Sequence, residues 1–152
     1  MDNKNKILLV CSPYYIDITS NLIKGASDFL KSKSVDYKIL NVPGALEIAP
    51  AIKLISDRSK KKPIFDGYLA LGCVIRGETS HYDYVCSESA RALMNISLEG
   101  FAIGYGILTV ENYDQALIRS KTAANQSIGK GRVAALACIN QIKLKAKYTD
   151  GS

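Results

Sequence analysis

The sequence predicts an α/β domain, a three-layer α/β/α sandwich built on a mostly parallel four-stranded sheet. Three observations carry this. Short, nearly continuous apolar runs read as strands buried on both faces. They alternate with longer segments whose apolar residues recur at helical spacing. Chemically distinctive residues cluster just after each apolar run, where parallel α/β sheets bind ligands.

The elements follow in order. Residues 6–11 (KILLVC) form the first buried strand. Residues 19–33 form a helix, with Leu22, Ile23, Ala26, Phe29 and Leu30 on its apolar face. Residues 35–42 form the second strand, which Pro43-Gly44 ends. A helix then runs to about Ile55, with Pro50 in or near its first turn, where a missing N–H is tolerated. Residues 56–63 are a polar connection, and residues 67–75 form the third strand. Residues 82–98 are helical, with Tyr82, Val85, Cys86, Ala90, Leu93 and Ser97 on one face. Residues 101–109 form the fourth strand, 112–120 a short helix and 130–147 the last helix. Right-handed crossovers between parallel strands place helices on both faces of the sheet. No internal repeat, low-complexity segment or linker interrupts the pattern.

The totals bound the function. A chain of 152 residues is expected to form one domain, residues 1–152. No apolar run approaches the ~20 residues of a membrane span, and the first residues lack a signal-peptide core. A cytoplasmic protein is the expectation. The four cysteines, Cys11, Cys73, Cys86 and Cys138, lie in apolar segments and form no CxxC pair. They read as small, reduced, buried hydrophobes, and with one histidine no zinc pattern arises. The net charge of +6 draws on Lys60-Lys61-Lys62 and on Lys143, Lys145 and Lys147, read as solvated surface. No aromatic–basic stacking motif or zinc finger points to nucleic acid. A basic surface also steers small anions.

The segments after the strands hold the candidate chemistry. After the first, Ser12-Pro13-Tyr14-Tyr15-Ile16-Asp17 offers Tyr14, which can stack on a flat ring or be an ordinary surface tyrosine. After the second, Pro43-Gly44-Ala45-Leu46-Glu47 brings backbone N–H groups and one carboxylate, which can bind a ligand or compensate a helix dipole. After the third, Arg76-Gly77-Glu78-Thr79-Ser80-His81-Tyr82-Asp83 is the richest stretch. Ser80-x-x-Asp83 is a capping-box pattern, so a helix should start near Ser80 or His81. The amides of residues 77–80 would then point at the site, as at anion-binding helix termini. His81, the single histidine, would stand beside them, where a neutral imidazole can accept a proton and return it. After the fourth, Gly104 and Gly106 flank Tyr105 and let a backbone approach closely. Arg119 and Lys130 follow, either able to hold a phosphate, Arg119 bidentately. These residues describe an α/β domain holding an anion near a histidine, with flat aromatic neighbours; they do not by themselves name a reaction.

Taken together, the segments resemble the 6,7-dimethyl-8-ribityllumazine synthase family of riboflavin biosynthesis. The resemblance runs through Val42-Pro43-Gly44-Ala45-Leu46-Glu47-Ile48, residues 72–85 (GCVIRGETSHYDYV), Gly104-Tyr105-Gly106-Ile107-Leu108-Thr109 with Glu111-Asn112, and Lys130-Gly131. It implies a flavodoxin-like fold and the condensation of 5-amino-6-(D-ribitylamino)uracil with 3,4-dihydroxy-2-butanone 4-phosphate. It implies no cofactor and no metal. His81 would carry protons. Tyr14 would stack on the pyrimidine, Ala45, Leu46 and Glu47 would hold the uracil and ribityl chain, and Cys73, Val74 and Ile75 would line the ring edge. Glu78 and Thr79 would bind the phosphate. Tyr105 and Arg119 would come from a neighbouring subunit of a pentamer, with Lys130 a lesser helper. Riboflavin synthase is the partner enzyme the resemblance suggests.

Several positions depart from the family pattern. Leu46 and Tyr105 both stand where Phe is common, Cys73 where a small residue or Thr is usual, and Val133 where an acid often stands. A long 119–130 segment and a short stretch before the first strand imply a pentamer rather than a sixty-subunit shell. A non-catalytic flavin-binding paralogue and a flavodoxin-like carrier are the alternatives. The carrier would need a Ser/Thr-rich phosphate loop after the first strand, and Ser12-Pro13-Tyr14-Tyr15-Ile16-Asp17 is not one.

Overall fold

The sheet holds four strands in the order β2-β1-β3-β4, every neighbouring pair parallel. In the computed structural model, which describes residues 4–57, 62–121 and 129–149, the strands are β1 (Lys6–Cys11), β2 (Asp36–Asn41), β3 (Gly67–Ile75) and β4 (Ile103–Val110). The helices are α1 (Ile16–Ser32), α2 (Ile48–Asp57), α3 (His81–Leu98), α4 (Tyr113–Ser120) and α5 (Lys130–Tyr148). A 3₁₀ turn, Ala45–Glu47, precedes α2. The expected flavodoxin-like three-layer sandwich is the architecture found.

Alternation along the central strands divides the core. Ile7, Leu9 and Cys11 of β1, with Leu69, Leu71 and Cys73 of β3, face α1, α4 and α5. Leu8 and Val10, with Tyr68 and Ala70, face α2 and α3. Residues on a strand point alternately to opposite faces, so a nearly continuous apolar run is what two covered faces require. β2 departs from this reading. It is an edge strand with Ile39 and most of its other side chains exposed, and it is shorter than residues 35–42. Hydrogen bonding from one side only leaves it less reason to be apolar.

Other boundaries moved by a few residues. α1 starts at Ile16, not Thr19, because Thr19 N–H already donates to the Tyr15 carbonyl at 3.0 Å. Pro50 stands third in α2, inside the first turn as expected. On α3 the buried residues are Val85, Ser89, Leu93 and Ile96, whereas Ala90 is exposed. Ser89 takes the inward place because its hydroxyl donates to the Cys86 carbonyl at 3.2 Å.

Two glycines let α5 lie against its neighbours by backbone. A Cβ on Gly131 would fall 2.0 Å from the Leu22 carbonyl oxygen of α1. A Cβ on Gly104 would fall 2.1 Å from the Ala134 carbonyl oxygen of α5. The close approach expected beside Tyr105 is therefore a helix packing on the sheet. All four cysteines are free; Cys11, Cys73 and Cys138 are buried and Cys86 is half-buried. Lys143, Lys145 and Lys147 are exposed, as is Lys62, while Lys60, Lys61 and the middle of the 119–130 segment lie outside the described residues. Among the described residues, no helix is long and apolar enough to cross a membrane.

Candidate functional site

Because all strands run one way, their carboxyl ends share one edge of the sheet. Cys11 pairs with Asn41 on one side and Leu71 on the other, and β3 continues to Ile75, opposite Val110. The chain leaves β1 toward β2 and leaves β3 toward β4, so the connections part between β1 and β3. Such a switch point opens a crevice above the strand ends. A cleft of about 310 Å³ lies there.

Each wall comes from the segment after a strand. Ser12, Tyr14 and Tyr15 follow β1; Gly44 and Ala45 follow β2. Cys73, Val74 and Ile75 are the last residues of β3. Gly77 and Thr79 follow, and His81, Tyr82 and Val85 lie on the first turns of α3.

Tyr14 stands at the rim, 75% exposed, with its ring set edge-on to Tyr15 at 5.0 Å between centroids. Tyr15 is half-buried against the α1 core. Burial first, then the neighbouring Tyr14 and Cys73, raise its hydroxyl above the ordinary tyrosine value. Ser12 is held by the chain around it: its N–H donates to the Leu71 carbonyl at 2.9 Å and its carbonyl accepts from the Thr19 hydroxyl at 3.1 Å. The 3₁₀ turn is closed by Glu47 N–H donating to the Gly44 carbonyl at 3.1 Å. The Glu47 carboxylate folds back over the cleft residue Gly44, 2.9 Å from where a Cβ would stand, but is not itself among the lining residues. Burial pushes the Cys73 thiol up to about 11, so it faces the cleft uncharged at neutral pH.

The start of α3 is where the sequence puts it, but the capping box is not made. Ser80 precedes the helix without a side-chain cap bond. Instead the Thr79 hydroxyl accepts from His81 N–H at 3.3 Å. Asp83 turns to Arg76, whose Nη1 donates to its Oδ1 at 3.2 Å. A guanidinium is a stronger partner for a carboxylate than a neutral amide is. Arg76 Nε also donates to Glu111 Oε2 at 2.7 Å, and its guanidinium carbon lies 4.3 Å from the centre of the Tyr82 ring.

Tyr14, Ala45, Cys73, Val74, Ile75, Thr79 and His81 thus come together in one cleft. Glu78 is exposed, between Gly77 and Thr79 of the wall. Leu46, Tyr105, Arg119 and Lys130 do not line it. Leu46 is exposed on the 3₁₀ turn. Tyr105 projects from edge strand β4, its hydroxyl bonded to Ser89. Arg119 sits on α4, Nη1 donating to the Gln115 carbonyl at 3.1 Å, and Lys130 is exposed at the start of α5. Residue-by-residue reading missed Ser12, Tyr15, Tyr82 and Val85 as lining residues, and Arg76 as an organiser. Their signal was position: each lies within a post-strand segment or the first turns of the helix that follows. Among the described residues, no three His, Cys, Asp or Glu side chains gather as a metal-holding group.

The cleft therefore presents aromatic faces at one rim, strand-end backbone and a neutral thiol on its floor, and a hydroxyl with an imidazole on the far wall. The family model of 6,7-dimethyl-8-ribityllumazine synthase matches residues 4–146. The 6,7-dimethyl-8-ribityllumazine synthase of Zymomonas mobilis is 44% identical over 144 residues, 95% of this chain and 99% of the relative. That of Bartonella bacilliformis is 45% identical over 146 residues, 95% of this chain and 92% of the relative. That of Bartonella tribocorum is 43% identical over 151 residues, 99% of this chain and 96% of the relative.

Proposed function

The chain belongs to the 6,7-dimethyl-8-ribityllumazine synthase family, and from that premise we propose that it catalyses this step of riboflavin biosynthesis as a transferase. It condenses 5-amino-6-(D-ribitylamino)uracil with 3,4-dihydroxy-2-butanone 4-phosphate to give the lumazine, phosphate and water. The observation that carries the reading is the family match over residues 4–146, which takes in every segment walling the cleft.

The cleft chemistry agrees with the reaction. The amine attacks the ketone to give a carbinolamine and then an imine, phosphate is eliminated, and the ring closes with loss of a second water. Each step moves a proton, and His81 is placed to accept and return it. Tyr14 stacks on the pyrimidine, while Cys73, Val74 and Ile75 meet its edge. Ala45 and Glu47 hold the ribityl side, with Leu46 in support. Glu78, Thr79 and the amides beside them receive the phosphate. Holding two reactants side by side supplies a large share of the acceleration, on the order of several kcal/mol. No cofactor or metal takes part in this scheme.

Tyr105 and Arg119 lie away from the cleft of their own subunit, which supports a site completed by a neighbour. In this reading the chain acts as one domain over residues 1–152 in a homopentamer. Arg119 of an adjacent copy clamps the leaving phosphate, where fixed positive charge is most effective, and Lys130 assists. The protein works in the cytoplasm, and riboflavin synthase receives the product. The test is to mix the two substrates with the protein and follow lumazine fluorescence. Product that needs both substrates and the protein supports the reading; a rate equal to the protein-free mixture overturns it.

A further inference from the structure

Arg76 belongs to no wall of the cleft, yet it ties the end of β4 to the first turn of α3, which is one. Its backbone N–H makes a last ladder bond to the Val110 carbonyl at 3.0 Å. The chain then leaves the sheet, and residues 77–80 cross to α3 exposed. Their hydrogen bonds among the described residues are local: His81 N–H to the Thr79 hydroxyl, and Asp83 N–H to the Ser80 carbonyl at 3.0 Å. Around Gly77 there is open space within 4 Å of a would-be Cβ.

The Arg76 side chain spans this crossing. Nη1 reaches Asp83 on the first turn of α3, and Nε reaches Glu111 just beyond β4. The planar face covers Tyr82, whose ring is itself a cleft wall. Glu111 is anchored in turn, because its N–H donates to the Gln115 side chain at 2.9 Å while Asn112 accepts from Gln115 N–H at 2.9 Å. A fork, a second acceptor and a stacked ring are met at once only by a guanidinium; an ammonium has no planar face. The Arg76 side chain is 40% exposed and its carboxylate partners more so. Ion pairs of that exposure add little to global stability. The geometry is costly to arrange and does little for folding, so its value lies in where it holds the loop.

We propose that Arg76 is a positioning residue: by bridging Glu111 and Asp83 over the Tyr82 ring, it fixes the 77–80 loop and His81 in the geometry that receives the phosphate-bearing substrate. The inference rests on the reading of this cleft as the condensation site. Its consequence is selective. The pyrimidine end meets Tyr14 and the β3 terminus, whereas the Arg76 side chain has Glu111, Asp83 and Tyr82 as its partners.

The experiment compares wild type with Arg76→Ala, Arg76→Lys and Glu111→Gln, alone and as the Arg76→Ala/Glu111→Gln pair. Steady-state kinetics are run with each substrate varied in turn, and amide hydrogen exchange is measured on the same proteins without substrate. The expected result is a KM for the butanone phosphate raised about ten-fold in Arg76→Ala, with the KM for the uracil changed less than about three-fold. Arg76→Lys fails to restore it, and the double variant is no worse than Arg76→Ala, because the two residues act through one contact. Exchange at His81 and Asp83, the bonded amides of this crossing, quickens about ten-fold while α2 is unchanged. The proposal is overturned by an unchanged KM in Arg76→Ala, by equal rises in both KM values, by rescue with Lys, or by additive losses. Unchanged exchange at His81 and Asp83 overturns it by itself, even in protein without turnover. A wild type that makes no lumazine instead overturns the functional reading, and exchange then still decides the brace.

Discussion

His81 and Arg119 are given different tasks, and their variants should differ in kind. His81 lines the cleft, and the proposed role is proton transfer, which can be lost while both substrates stay side by side. His81→Ala should therefore lower kcat only modestly, about ten-fold, with both KM values little changed. Arg119 lies outside its own subunit's cleft and is assigned to the phosphate of a neighbour. Arg119→Ala should raise the KM for the butanone phosphate by one to two orders of magnitude, roughly the loss of a charge-assisted bond. Steady-state kinetics with each substrate varied separate the two; unchanged rates in both would remove these assignments. Leu46 is exposed next to the cleft residue Ala45, so Leu46→Phe, which offers a flat ring there, should tighten uracil binding.

At the scale of elements, the packing of α5 makes the sharpest stability prediction. Its backbone rests on α1 at Gly131 and on β4 at Gly104. Gly131→Ala must push two helices apart, since the Leu22 carbonyl cannot yield as a side-chain tip would. The cost should be about 2 kcal/mol or more, a fall in Tm of roughly 4–8 °C for a chain of this size. An unchanged Tm would mean that α5 does not sit so close. The sequence was most legible where one periodicity dominated. β1 and β3 appeared with their observed limits because both faces are buried, and α5 was placed within a residue because glycine and lysine marked its start. β2 read as an ordinary covered strand, since nothing in residues 35–42 reveals that it lies at an edge. Ser80 read as a capping residue because its rival, an arginine seven residues before Asp83, is invisible to a local motif. The cleft segments were legible as post-strand positions, and Tyr82 by the helical face it shares with Val85, while the inward turn of Tyr15 depended on packing that no local pattern encodes.

For the whole molecule, buried thiols weaken the fold at alkaline pH. Burial pushes Cys11 and Cys138 up to about 12 and Cys73 up to about 11, from an ordinary 9.0. Below pH 9 both folded and unfolded thiols keep their protons, so this contribution does not vary. Above it the unfolded chain releases protons that the folded state retains, so stability should fall between about pH 9 and pH 12. Thermal melts across that range should show Tm declining, and less steeply in Cys138→Ala once corrected for the lost packing. The pentamer is tested by mass in solution: about five copies are expected, whereas a monomer would leave Arg119 without a site to serve and about sixty copies would mark a closed shell.

In the proposed reaction one cleft joins two substrates and expels phosphate as it does so. The most direct measurement follows lumazine and inorganic phosphate together in a mixture of wild-type protein and both substrates. Both should rise in a one-to-one ratio, with no lumazine when either substrate is left out. Lumazine formed no faster than in the protein-free mixture, or phosphate released without it, would contradict the claim.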